Sequence, residues 1–208
     1  MSANKPKGLF LDRDFKAGPG GLTIGRFARW YRRQLITCWK ALDMAAIARI
    51  ARLVENARDQ GRQVLVMGNG GSAATASHIA VDLSKTAAVK GKPLLRCISL
   101  TDNVPYLTAI GNDLGYNKVF VRQMENLVRK DDVVILVSGS GNSPNILEAA
   151  KYAKAQGAST VGLLGFDGGR LKSLVDISFI VHSDQYGIVE DIHLGINHIL
   201  AFYLKQKP

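Results

Sequence analysis

His78 and Asp82 stand four residues apart in 67-MGNGGSAATASHIAVDL-83, just after a glycine turn. Residues at that spacing share one face of a helix. An imidazole and a carboxylate so placed could share a proton or ligate one metal ion. The chain has four histidines, His78, His182, His193 and His198, and the last two fall in one C-terminal helical stretch that also carries Glu190. Glu190, His193 and His198 are the donors that this stretch could add to His78 and Asp82, and two nitrogens with two oxygens suit zinc. The plainer readings are a surface hydrogen bond for His78–Asp82 and a buried structural role for a histidine on an apolar helix. Geometry limits the choice as well. Eight residues of ideal helix rise about 12 Å, so Glu190 and His198 reach one ion only if Glu190 precedes the helix or reaches back from its first turn.

The turn itself, Asn69-Gly70-Gly71-Ser72, lies between an apolar stretch ending at Met67 and the helical stretch that begins at Ser72. N–H groups freed at a helix N-terminus attract anions, and glycine lets an anion approach closely. Such a turn suits a sugar phosphate. It lacks the three-glycine dinucleotide spacing and the Gly-Lys-Ser/Thr of a P-loop. A second turn, 137-VSGSGNSPNI-146, has the same setting. Ser138, Ser140 and Ser143 surround Gly139 there with three hydroxyls, and Pro144 suits the first turn of a helix. Serine at such a turn also caps helices, which is the plainer use of Ser143.

These side chains need elements to hold them. Apolar strand-like runs at 63–68, 94–100, 132–138, 159–165 and 177–181 alternate with helical patterns at 72–85, 103–110, 117–129, 144–156, 168–175 and 188–204. Short apolar strands alternating with helices predict an α/β fold with a parallel sheet covered on both faces. Two helices precede the first strand, at 23–41 and 44–60, with Asp43 as N-cap of the second and Gly61 as its stop. Residues 1–22 lack periodicity and read as a flexible tail, and 23–208 as a single domain in which the front helices pack on the sheet or on another subunit. Within the tail, 9-LFLDRDF-15 faintly resembles an Asp-x-Asp phosphatase signature, but Lys16 stands where Thr or Val is expected.

Composition narrows the classes. The net charge is +10, and 13 of the 27 Lys and Arg but only 5 of the 17 Asp and Glu lie in residues 1–62. Nucleic acid is one partner that such a front would attract. The aromatics of 26-RFARWYRR-33 recur at helical spacing, however, and point to a core or a partner helix rather than to stacking on bases. Nucleic acid is therefore not the favoured partner. Cys38 and Cys97 have no metal-site or disulfide pattern and are expected as free, buried thiols. The densest apolar run, 133-VVILV-137, suits a buried strand and not a membrane span, and the N-terminus has no apolar signal core. A cytoplasmic protein is expected.

Taken together, GNGGSAATASH, 111-GNDLGY-116, SGSGNS, 166-FDGG-169 and 192-IHLGINHIL-200 make residues 30–204 similar to the sugar isomerase (SIS) domain family, in its phosphoheptose isomerase branch. The resemblance implies a flavodoxin-like, three-layer αβα sandwich with a five-stranded parallel sheet. It also implies a homotetramer with active sites between subunits. By the same resemblance the serine turn grips the substrate phosphate, and Asn69, Gly70, Gly71, Asn112 and Asp113 position the sugar. In the family a histidine and a glutamate stand at positions 78 and 82, and a glutamine and a histidine at 190 and 198. They bind zinc, and the carboxylate and last histidine move protons. Here the glutamate is shortened to Asp82 and the glutamine is replaced by Glu190.

The activity implied is an aldose–ketose isomerase acting on sedoheptulose 7-phosphate through an enediol, with Asp82 as base and His198 as its acid/base partner. The alternatives are non-catalytic: a relative that associates with a replication initiator protein, or a phosphosugar sensor. Retention of His78, Asp82 and His198 favours the enzyme.

Overall fold

In the computed structural model, residues 18–206 are described; the 9–15 stretch and all but residues 18–22 of the expected tail lie outside them. Five strands form one sheet: β1 (Gln63–Gly68), β2 (Arg96–Ser99), β3 (Val133–Ser138), β4 (Ser159–Gly165) and β5 (Ile177–Val181). Their order is β2-β1-β3-β4-β5, and all pairings are parallel. The helices are α1 (Ile24–Lys40), α2 (Met44–Asp59), α3 (Gly71–Val81), α4 (Val104–Asp113), α5 (Val121–Leu127), α6 (Pro144–Ala155) and α7 (Tyr186–Gln206). The three-layer parallel αβα architecture is as the alternation predicts.

The strands are apolar throughout because both their faces are covered. Val64, Val66, Val133, Ile135 and Val137 point into one core, with α2, α3 and α7. Leu65, Met67, Val134 and Leu136 point into the other, with α5 and α6. Each such side chain contributes about 1.5–3 kcal/mol by leaving water. Asp43 caps α2 by accepting from the Ala46 N–H at 2.9 Å, as its sequence position predicts. α1 has no fully buried residue and leans on α7, with Tyr31, Leu35, Cys38 and Trp39 half-buried against the first core.

Four elements depart from expectation. The helix expected at 117–129 divides into a 3-10 turn at Tyr116–Lys118 and α5, which ends where Val128 turns extended at ψ 138°. The helix expected at 168–175 is only a 3-10 turn at Leu171–Ser173, because Gly168 and Gly169 take positive φ of 84° and 53° and break the α conformation. α4 runs on to Asp113 rather than stopping at 110, with Asn103 capping its first turn. α3 leaves the α form after Val81, and Asp82–Thr86 make a wider π turn in which the Ala87 N–H donates to the Asp82 carbonyl.

The chain goes from β1 outward to β2, then returns past β1 to β3. Crevices beyond the carboxyl ends of strands at such a reversal are where α/β sheets bind ligands. Gly68 pairs with Val137 in that register, so the turns after β1 and β3 stand side by side.

Candidate active site

A pocket of about 410 Å³ opens between those two turns, lined by Asn69–Ser72, Ser138–Ser140, Ser143, Tyr186 and Glu190. Gly70 adopts φ 56°, ψ −125°, a conformation that only glycine takes readily, and this turns the chain from β1 into α3. Ser72 is buried at the start of α3. Asn69 is held by three hydrogen bonds from two residues. It exchanges reciprocal amide hydrogen bonds with buried Asn145, both at 2.9 Å, and its Oδ1 also accepts from the Tyr116 hydroxyl at 2.9 Å. In the second turn the Gly141 N–H donates to Ser138 Oγ at 3.1 Å and the Asn142 N–H to Ser140 Oγ at 3.3 Å. Ser143 is the N-cap residue of α6, yet its side chain makes no capping bond. Its hydroxyl is thus not spent on the plainer use.

Further along α3, His78, Asp82 and His198 converge. His78 Nε2 and His198 Nε2 face each other at 3.3 Å, and Asp82 Oδ2 lies 3.2 Å from the first and 3.7 Å from the second. The histidine side chains are about half exposed, at 43% and 44%, and that of Asp82 is 12% exposed. Both Asp82 oxygens are held: Oδ1 accepts from the Thr86 hydroxyl at 2.9 Å and Oδ2 from Asn197 Nδ2 at 2.7 Å. Seven residues of helix separate Gly71 from His78, about 10 Å of rise. α7 runs alongside in the same sense, with Glu190 beside Gly71 and His198 beside His78. The groove between the two helices therefore has a pocket at one end and the histidine–carboxylate cluster at the other.

A model of the SIS domain family matches residues 30–165. The chain is 41% identical over 163 residues to the phosphoheptose isomerase of Trichlorobacter lovleyi, covering 78% of this chain and 82% of that one. It is 45% identical over 149 residues to that of Helicobacter pylori strain P12, covering 72% and 77%. The chain belongs to the SIS family, in its phosphoheptose isomerase branch. Among solved structures, the phosphoheptose isomerase of Francisella tularensis matches this SIS fold with a TM-score of 0.80 at 32% identity, covering 88% of this chain and 97% of that one. That of Neisseria gonorrhoeae matches at 0.79 and 30%, covering 88% and 96%.

The SIS site differs from the sequence expectation in two places. Glu190 is not in the cluster of possible metal ligands, which among the described residues is His78, Asp82 and His198. It lies within α7, two turns before His198, and its carboxylate packs on Gly71, where an added Cβ would collide with it. The helical rise between the two residues explains the separation. Asn112 and Asp113 do not line this chain's pocket either. The extension of α4 winds them into its exposed last turn, where Asn112 Nδ2 donates to Asp113 Oδ1 at 2.8 Å. From that segment Tyr116, after the break at Gly115, reaches Asn69 of the pocket wall through its hydroxyl. Asn145, Tyr116, Tyr186, Thr86 and Asn197 were not singled out from sequence. Asn197 had one signal: with Glu190 and His193 it forms an i, i+3, i+7 polar stripe on an apolar helix.

The remaining titratable groups set the local electrostatics. Burial, then neighbouring Asp191, raises the Glu190 carboxyl above the usual range. Burial lowers His193 to about 4, so it is neutral, and its Nε2 bonds the Leu164 carbonyl at 3.0 Å. It is the core histidine of the plainer reading. The Tyr31 hydroxyl donates to Asp191 at 2.7 Å and ties α1 to α7. Cys38 and Cys97 are free and only partly buried, and burial raises both thiols, Cys97 to about 12. No helix among the described residues is long and apolar enough to cross a membrane.

The cluster fits a zinc ion by its donor set. Ligands about 2.0–2.1 Å from a tetrahedral zinc lie roughly 3.3 Å from one another. The spacings of 3.3, 3.2 and 3.7 Å are close to that figure, so these three residues could hold such an ion.

Proposed function

We propose that this chain is an aldose–ketose isomerase converting sedoheptulose 7-phosphate to D-glycero-D-manno-heptose 7-phosphate through an enediol. One observation carries the reading: a histidine–carboxylate cluster lies about 10 Å along α3 from an anion-suited pocket. That span matches a seven-carbon chain with its phosphate in the pocket and C1 and C2 at the cluster. The names of its relatives support the same activity.

In this reading the hydroxyls of Ser138, Ser140 and Ser143 and the N–H groups that open α3 at Gly70–Ser72 bind the phosphate. Asn69, held by Asn145 and Tyr116, and the backbone of Gly139 orient the sugar. Moving hydrogen between adjacent carbons needs a base beside the carbons and an acid at the oxygen. Asp82 takes the proton from one carbon and returns it to the other. His198 serves the substrate oxygens as its acid/base partner when its Nε2 is free. Zinc held by His78, Asp82 and His198 would polarise the substrate carbonyl. The Asp82 carboxylate has acceptor positions enough to hold the ion and take the proton. The assembly we propose is a homotetramer with sites between subunits, to which exposed Asn112 and Asp113 belong from a neighbour.

The test is aldose formation from sedoheptulose 7-phosphate, with and without chelator. His198→Gln is expected to abolish turnover and leave phosphate binding intact. Turnover equal to wild type in that variant removes the role. Phosphosugar binding without any aldose from the wild type leaves the non-catalytic reading.

A further inference from the structure

We propose that Asn197 is a positioning residue that, together with Thr86, clamps the short Asp82 side chain so that Oδ2 faces both imidazole nitrogens. The inference rests on the reading of His78, Asp82 and His198 as a metal site.

An aspartate has one methylene fewer than a glutamate, so its carboxylate stays close to the α3 backbone and must be aimed from there. Two contacts do the aiming, one at each oxygen. Thr86 reaches back across the π turn to Oδ1 at 2.9 Å. Asn197 comes from α7 to Oδ2 at 2.7 Å, across 115 residues of sequence. π turns of this kind recur at functional sites. Asn197 is 1% exposed, and its Oδ1 has no hydrogen-bond partner among the described residues. A buried amide with an unmet oxygen is a poor choice for stability, since an apolar side chain of the same size leaves nothing unpaired. What Asn197 does provide is one N–H donor aimed at Asp82. Because Asn197 adjoins His198 on α7, the same helical turn sets the carboxylate and one imidazole together. Groups that orient metal ligands in this way commonly change metal affinity 10- to 100-fold when removed.

The experiment strips the full-length protein with chelator and titrates it with Zn²⁺ against a chromophoric competitor. Co²⁺ is used in parallel to read the visible spectrum of the site. Wild type, Asn197→Leu, Thr86→Val and His198→Gln are compared, and the melting temperature of each metal-free protein is recorded. Zinc binding by the wild type that His198→Gln abolishes establishes the site. Asn197→Leu and Thr86→Val are then each expected to weaken zinc by about tenfold or more, with a shifted Co²⁺ spectrum and metal-free melting close to wild type. Unchanged zinc affinity in both variants overturns the clamp and leaves the metal site standing. A loss of affinity matched by a parallel fall in metal-free melting also overturns it, because packing then explains the effect. If Asn197→Leu does not fold, Thr86→Val decides, since it acts on the opposite oxygen. A wild type that binds no zinc, or binding untouched by His198→Gln, overturns the site and the clamp together.

Discussion

Glu190 and Asp82 stand where the resemblance implies glutamine and glutamate, and the structure gives them different surroundings. Asp82 sits among hydrogen-bond donors beside two imidazoles. Glu190 lines the pocket with the serine turn, against Gly71. A carboxylate there opposes the phosphate that the pocket otherwise suits. At partial burial such a repulsion is on the order of 1 kcal/mol, about fivefold in affinity. Glu190→Gln is therefore expected to bind sugar phosphate and inorganic phosphate several-fold more tightly, as calorimetry would measure. The pH dependence has a sign. Burial raises the Glu190 carboxyl, so it loses its charge at a higher pH than an ordinary glutamate. The advantage of the variant should narrow as pH falls, because the wild-type carboxyl becomes neutral too. Weaker phosphate binding by Glu190→Gln at every pH would mean that the carboxylate receives sugar hydroxyls instead.

α7 is the element that assembles the site, for it carries Glu190, Asn197 and His198 while packing on β4, α1, α2 and α3. His193 joins it to the sheet through the Leu164 carbonyl. Its folded pKa of about 4 lies below the ordinary 6.5. The unfolded chain thus takes up a proton that the folded chain refuses. The resulting stability is present above pH 6.5 and lost as pH falls toward 4, by about 3 kcal/mol at most. Urea unfolding across that window should give a steep acid limb in the wild type and a shallower one in His193→Gln, which cannot titrate. Equal slopes would mean that His193 takes up its proton in the fold as it does in the unfolded chain. The helical pattern at 188–204 was legible because the apolar stripe of α7 has the right period. One of the wrong helix boundaries has a local cause: paired positive-φ glycines shortened the 168–175 segment.

At the scale of the whole molecule, Asn112 and Asp113 stand exposed, away from their own chain's pocket. If neighbours supply them, Asp113→Ala and His198→Gln subunits should each be inactive alone and regain turnover when unfolded and refolded as a mixture. Light scattering should give a mass near four times the 22.5 kDa chain. No recovery on mixing would put both residues in one subunit's site, or take Asp113 out of it. The sequence by itself determined the parallel αβα layers, the two anion-suited turns at strand ends and the shared helix face of His78 and Asp82. All of these follow from local periodicity and turn chemistry. Only the tertiary structure decided that His198 meets His78 across 120 residues, that Asn197 holds Asp82, and that Glu190 turns to the other end of the groove. A helix fixes the rise and angle between its own residues, about 12 Å and 80° for Glu190 and His198. Which neighbouring helix each of them then faces is set by how α3 and α7 pack together on the sheet.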